Sequence, residues 1–311
     1  MIPKTYIEYI ILTPESQEIQ ALRPVLITFL TILKITTLRT DYMHKQEVYR
    51  FYNSIEYEYK FMGKYGAKGE KRAPKTKATP EQIKKQNQLN RENRMRRKIK
   101  ANFLPDDLWI TLKPAAGKKK SIKELTKDVS NFLTSLKRAY KKRDADLKYI
   151  CRFEVGKRGG LHCHILLNRI RGKPETDILV RDKWKRYGGS VSYESIYENG
   201  GYRKLAEYIV KLPEEEVTAQ LSFFPEEDRK TLVKYTCSRN LTTPVPEVKE
   251  YTRKTVKKLI ENGPEPTPGF YIDKDSIKTG TNPYTGMSYL YYTEIRIKEI
   301  RRSNEWENGY G

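Results

Sequence analysis

The sequence predicts an α+β fold, an antiparallel or mixed sheet flanked by helices, and three observations carry that prediction. Two strand-like runs, Tyr149 to Val155 and Leu161 to Leu167, are joined by Gly156-Lys157-Arg158-Gly159-Gly160, the composition of a hairpin loop. Ahead of them lies a helical pattern, Ile122, Leu125, Val129, Phe132, Leu133, Leu136 and Tyr140, opened by the capping-box pair Ser121 and Glu124. The order β-α-β-β-α-β-α, with a hairpin at its centre, argues against a doubly wound parallel sheet.

Residues 1–42 are rich in Thr and Ile, carry little charge, and read as an atypical segment upstream of a start at Met43. Residues 43–100 hold a strand over Val48 to Phe61, a basic arm and a helix. The packed core spans 101–225. Its first strand is Leu108 to Leu112, followed by the capped helix and the hairpin. A second helix is expected from Thr176 to Lys185, a strand from Ser190 to Ile196, and a third helix from Tyr202 to Leu212. Residues 226–311 form a C-terminal extension. Beyond Pro213 the chain reads as polar and irregular, broken by Pro244, Pro246, Pro264, Pro266 and Pro268.

Composition narrows the class of function. The 311 residues hold 61 Lys and Arg against 39 Asp and Glu, a net charge of +22. A hydrophobic share of 37% and a mean hydropathy of −0.78 fit one core of about 120–200 residues with basic extensions. The best apolar run, Val25 to Leu33, is nine residues long, where a membrane span needs about 20. Three cysteines cannot close a disulfide framework, so a reduced, cytoplasmic setting is expected, with no membrane partner. The charge calls for a polyanion, with nucleic acid as the default. Half of it, +11, lies between Gly63 and Lys100. Phosphate contacts are expected there from Lys71, Arg72, Lys75 and Lys77 in a mobile arm. Arg94, Arg96, Arg97, Lys98 and Lys100 would add more from a solvated basic helix, and Lys157 and Arg158 from the hairpin loop.

Two of the three histidines, His162 and His164, sit at i and i+2 of one strand and therefore share a face. Folding the hairpin about Arg158 sets Glu154 opposite His162 and adds a carboxylate to that face. The other face is Tyr149, Cys151, Phe153, Val155, Leu161, Cys163, Ile165 and Leu167, which belongs in a core. Two imidazoles and a carboxylate with open positions suit a catalytic Mg²⁺ or Mn²⁺. The separation of faces favours this over two structural histidines. On the third helix, Lys204 and Lys211 flank Tyr208 at i−4 and i+3, where they would favour a phenolate and hold a phosphate. The same Tyr-x-x-Lys spacing recurs at Tyr57, Tyr65 and Tyr251, but only the Tyr208 copy lies on a predicted helix after the histidine strand.

His162-Cys163-His164 followed by Tyr208-Ile209-Val210-Lys211, with Leu108 to Leu112 ahead of both, resembles the motif set of rolling-circle replication initiators of the HUH endonuclease superfamily. The likeness is to the Firmicutes type carried by bacterial plasmids, phages and integrative elements. Ala101-Asn102-Phe103, Ser238-Arg239-Asn240-Leu241 and the stretch Asp273 to Tyr292 extend it to roughly Val48 to Tyr292. The resemblance implies a five-stranded antiparallel sheet and a divalent metal. It also implies a tyrosine that cuts one strand of single-stranded or hairpin origin DNA and becomes joined to its 5′ end. This sequence departs from the family where the first motif strand runs on as Thr111-Leu112-Lys113-Pro114 in place of Thr-Leu-Thr-Tyr. With Tyr202 six residues from Tyr208, it reads as a one-tyrosine enzyme. A single-tyrosine transposase, a mobilisation relaxase and a non-catalytic basic DNA-binding protein are the alternatives. A histidine-triad hydrolase is disfavoured by Leu166, where a third histidine is needed. No Gly-x-x-x-x-Gly-Lys-Ser/Thr sequence occurs, so helicase and polymerase are expected from the host.

Overall fold

The computed structural model describes residues 42–62, 78–115, 117, 120–156, 159–170, 174–196, 199–211, 224–282 and 285–297. The atypical segment 1–41, the arm residues Lys71, Arg72, Lys75 and Lys77, and Lys157 and Arg158 of the hairpin loop lie outside them. In chain order the elements are β1 (Tyr42–Arg50), β2 (Ser54–Phe61), α1 (Pro80–Asn102), β3 (Leu108–Lys113), α2 (Ile122–Lys141), β4 (Tyr149–Val155), β5 (Leu161–Leu167), α3 (Thr176–Lys185), β6 (Ser190–Ser195), a 3₁₀ turn (Asn199–Tyr202) and α4 (Arg203–Val210). They continue with α5 (Glu226–Val233), β7 (Tyr235–Cys237), β8 (Glu247–Thr252), α6 (Arg253–Asn262), β9 (Phe270–Thr281) and β10 (Ser288–Arg296). The chain forms two compact units, one from its first 77 residues with Pro246 onward, the other from Ala78 to Val245.

The Ala78–Val245 unit is built on a five-stranded antiparallel sheet of order β6-β3-β5-β4-β7. Its five strands and flanking helices are those expected of the core. One face carries Leu108, Ile110, Leu112, Cys151, Phe153, Val155, Cys163, Ile165 and Leu167, and α2 and α3 cover it. Ser121 and Glu124 form both halves of the capping box that starts α2, and the helix buries the stripe that its sequence periodicity marks. Phe132 of α2 meets Trp184 of α3 edge to face at 5.6 Å.

The opposite face is also covered at one end. Trp109, Ile150 and Leu166 pack there beneath Met95, Ile99 and Phe103 at the end of α1, and beneath Ala206, Ile209 and Val210 of α4. The basic helix is therefore solvated only in its first part. From Met95 on, its inner side lies in the core, and Arg97 and Lys100 are buried with it.

Chain after Pro213 is not irregular among the described residues. β7 extends the edge of the β4 sheet, and β8, β9 and β10 join β1 and β2 in a second five-stranded antiparallel sheet of order β8-β1-β2-β10-β9. The strand expected over Val48 to Phe61 is in fact a hairpin that turns at residues 51–53. Alternation in β2 puts Ile55, Tyr57 and Tyr59 on one face, where they meet Leu290, Tyr292 and Val256 of α6. Tyr57 and Tyr292 stack at 4.7 Å.

One turn in the Ala78–Val245 unit tolerates no side chain. Gly189, between α3 and β6, faces the end of β3 so closely that a Cβ would lie 2.0 Å from the Lys113 carbonyl oxygen and 2.6 Å from Trp184 Nε1. Trp184 Nε1 donates to that same carbonyl at 3.3 Å. Gly189→Ala is expected to break this contact and cost ~1–3 kcal/mol of stability. Urea denaturation reads it as a lowered midpoint; an unchanged midpoint would show that the turn gives way freely.

Candidate metal and nucleophile site

β5 is the middle strand, and its register sets the site. Glu154 lies opposite His162, and Arg152 opposite His164, across the β4–β5 hairpin, while Thr111 of β3 flanks His164 on the other side. Glu154 Oε2 lies 3.6 Å from His162 Nε2 and 3.2 Å from His164 Nε2. Side-chain exposure is 30% for Glu154, 16% for His162 and 12% for His164, so the three form a shallow, partly dry recess.

Both imidazoles are oriented through their other nitrogen. His162 Nδ1 lies 3.3 Å from the Gly160 carbonyl oxygen, and His164 Nδ1 lies 2.9 Å from Thr111 Oγ1. Trp109 stacks on the His164 ring at 5.2 Å. Such contacts fix which nitrogen is left for a ligand. Here both Nε2 atoms converge on Glu154, and the three ligand atoms fall within 4.8 Å of one another. Among the described residues this is the one cluster of three His, Cys, Asp or Glu side chains able to hold a metal ion. Cys151 and Cys163 lie on the buried face and take no part. The third histidine, His44, is buried in β1 of the other unit, with Nε2 3.0 Å from the Ser288 carbonyl oxygen.

Helix α4 brings a phenol to the same recess. Its apolar side, Ala206, Ile209 and Val210, is buried on the sheet, and this turns Tyr208 towards the histidines. Tyr208 donates a hydrogen bond to Glu154 Oε2, and its Oη lies 2.9 Å from His164 Nε2. Trp109 meets the Tyr208 ring edge to face at 5.8 Å. Burial works against ionisation of Glu154, but hydrogen bonds from His162, His164 and Tyr208 outweigh it and hold its carboxyl well below the usual carboxylate range. Burial, and then the hydrogen bond to that carboxylate, push the Tyr208 phenol up from its ordinary value.

The expected phenolate between two ammonium groups is therefore not the state of this site. Lys204 and Lys211 are exposed, and the main cationic influence on the phenol is Arg152. The helix also stops at Val210, which leaves Lys211 as its C-cap rather than as a member of the Tyr208 face. Tyr202, buried at the N-cap with φ +61°, is separate from the recess.

Arg152 is the functional candidate that the linear sequence did not mark. It is buried on the site face of β4, and its Nη1 donates to the Tyr208 and Ile209 carbonyl oxygens at 2.8 and 2.7 Å. A cation on the last carbonyls of a helix satisfies orphan acceptors and opposes the helix dipole. It thereby ties the tyrosine helix to the strand that carries Glu154. Thr111 and Trp109 were likewise unmarked, because their role needs the β3–β5 pairing and not a local motif. Of the expected phosphate-binding residues in α1, Arg94 is exposed and Arg96 and Lys98 are half-buried, while Arg97 and Lys100 face inward.

Residues 107–213 match the model of a replication-associated protein family, the ORF2 type. The matched segment runs from the start of β3 past the end of α4, so it contains Thr111, Arg152, Glu154, His162, His164 and Tyr208. No curated protein and no solved structure matches the chain with significance. Among the described residues no helix is long and apolar enough to cross a membrane. The family match supports a replication initiator.

Proposed function

We propose that this protein nicks and rejoins one strand of origin DNA, single-stranded or extruded as a hairpin, to initiate rolling-circle replication, with Tyr208 as the nucleophile. The observation that carries this reading is the convergence of one phenol on an open ligand set, with Tyr208 Oη in hydrogen-bond range of both Glu154 and His164. A structural phenol has no need of three metal-type ligands, and a structural metal site would be closed by a fourth. The match to a replication-associated family favours initiation over transposition or mobilisation.

Glu154, His162 and His164 would hold a divalent cation. One carboxylate, two imidazoles and positions left for water or phosphate suit Mg²⁺ or Mn²⁺. When bound, such an ion acts as a Lewis acid that neutralises charge on the scissile phosphodiester. Tyr208 Oη attacks phosphorus, the bond from phosphorus to the 3′ oxygen breaks, and that oxygen leaves as a hydroxyl with the proton that the phenol gives up. The phosphotyrosine conserves the bond energy, so a 3′ hydroxyl can later reverse the step without ATP. The free 3′ end is the primer that a host polymerase extends behind a host helicase. Incubation with single-stranded origin DNA and Mn²⁺ tests the reading. A protein–DNA adduct that survives denaturation is expected; tight binding without an adduct would mean a DNA-binding protein and no more.

Arg152→Met is expected to lower the adduct rate about 10²-fold, the cost of misplacing a reacting group by roughly an ångström. Removing a buried charge together with its packing is often neutral for stability, so the unfolding midpoint should move little. Calorimetric Mn²⁺ binding should also be kept, since Arg152 is no ligand. A variant that cleaves at the wild-type rate would show that α4 is positioned by its apolar face alone.

A further inference from the structure

The first half of α1, the part that stays solvated, runs beside α4 with a groove of about 690 Å³ between them. Lys84 and Lys85 stand on one wall and Lys204, Tyr208 and Lys211 on the other. Lys204, Tyr208 and Lys211 are four and three residues apart, so one side of α4 and its cap faces the groove, and the phenol that reaches the metal ligands also lines it. Gln88 Nε2 bridges the helices, donating to the Val210 carbonyl oxygen at 3.3 Å and to Glu92 Oε1 at 2.9 Å.

Three carboxylates also line the groove, and each is already engaged. Glu207 pairs with Arg203 at 2.9 Å, and Glu92 accepts from Gln88. Glu81 sits in the first turn of α1, where hydrogen bonds at the helix start draw its pKa down. Among the described residues no ion pair engages Lys84, Lys85 or Lys204. The unspent charge of the groove is thus cationic, and it lies along the approach to Tyr208.

We infer that this groove is the track for the phosphodiester backbone of the single strand next to the scissile phosphate, with Lys84, Lys85 and Lys204 as its phosphate contacts. The inference rests on the nicking reading for its register with Tyr208. A volume of about 690 Å³ is within the ~300–1,000 Å³ of small-ligand sites, room for a short run of one strand and not for a duplex. Apart from Tyr208 the lining offers no aromatic platform for base stacking. The track therefore holds the backbone whatever the sequence, and positions the strand without reading it.

Fluorescence anisotropy with a labelled single-stranded oligonucleotide in EDTA tests this without any need for cleavage. Two lost contacts should flatten the slope of log affinity against log salt by about 1.4, so the disadvantage of Lys84→Gln/Lys85→Gln shrinks about sevenfold between 50 and 200 mM salt. The comparison variant is Lys123→Gln/Lys127→Gln, an equal charge change on α2 across the sheet, and it should keep the wild-type slope. If both double variants behave alike, or if duplex of the same sequence loses as much affinity as the single strand, the track is overturned. Because binding is read apart from the adduct, failure of the nicking chemistry would leave this result intact, and a nicking enzyme that lacks the track would be just as plain.

Discussion

Tyr208→Phe is expected to bind Mn²⁺ and single-stranded DNA as the wild type does and to form no covalent adduct. Phenylalanine keeps the edge contacts that the Tyr208 ring makes with Trp109 and His164 and the packing of α4 on the sheet. It loses only the hydroxyl, with its hydrogen bonds to Glu154 and His164. No other oxygen nucleophile replaces it, so the adduct on a denaturing gel should vanish and not merely slow. Tyr202→Phe, by contrast, should still form one, because that side chain is buried at the N-cap with only 3% exposure. Lys211→Ala should slow cleavage without preventing it, since an exposed ammonium next to the helix end helps hold phosphate but does not touch the phenol. Peptide mapping of the trapped adduct decides the assignment: a DNA-linked peptide that lacks Tyr208 would end it.

Loss of the two histidines is expected to have an effect of the same size by a different route. His162→Ala or His164→Ala should remove cleavage and calorimetric Mn²⁺ binding together, and EDTA should reproduce the loss in the wild type. The two variants should differ in stability. His164 is stacked by Trp109 and bonded to Thr111, so its removal leaves a gap in the sheet face. His162 is held by one carbonyl at the rim. Glu154→Ala should weaken the metal by less than either histidine does, while freeing the phenol. Thr111→Val tests the support of His164 alone, and its cost in metal affinity should be about 10–100-fold, as for other groups that orient a ligand. A double histidine variant that nicks at the wild-type rate would mean that no metal is held at this face.

The recess is legible in the sequence because it is local. A glycine-rich loop pins the register of β4 and β5, and the period of two then fixes which side chains share a face, so Glu154, His162 and His164 follow from one short hairpin of text. The capping box of α2 is equally local. What escaped depends on partners far along the chain. Arg152, Thr111 and Trp109 gain their roles from the β3-β5-β4 order and from where α4 ends, neither of which has a local signal. The second sheet escaped for the same reason: β2 pairs with β10, and between them lie more than 200 residues and several prolines. In α1 the surrounding charge masked the inner stripe, because Met95 and Ile99 are sparse among arginines and lysines whose buried members pack their stems inward.

The Ala78–Val245 unit is an insertion in the middle of its companion's fold, and this orders the events of synthesis. A ribosome completes the sheet that carries Glu154, His162 and His164 while the partners of β1 and β2 are still to be translated. The earliest part of the chain must wait, with two strands and an unsatisfied edge, until β8 and then β10 arrive. Nascent chains stalled just beyond residue 245 would therefore hold a finished recess beside an unpaired hairpin, a species in which the aggregation hazard and the chemistry belong to different halves of the polypeptide.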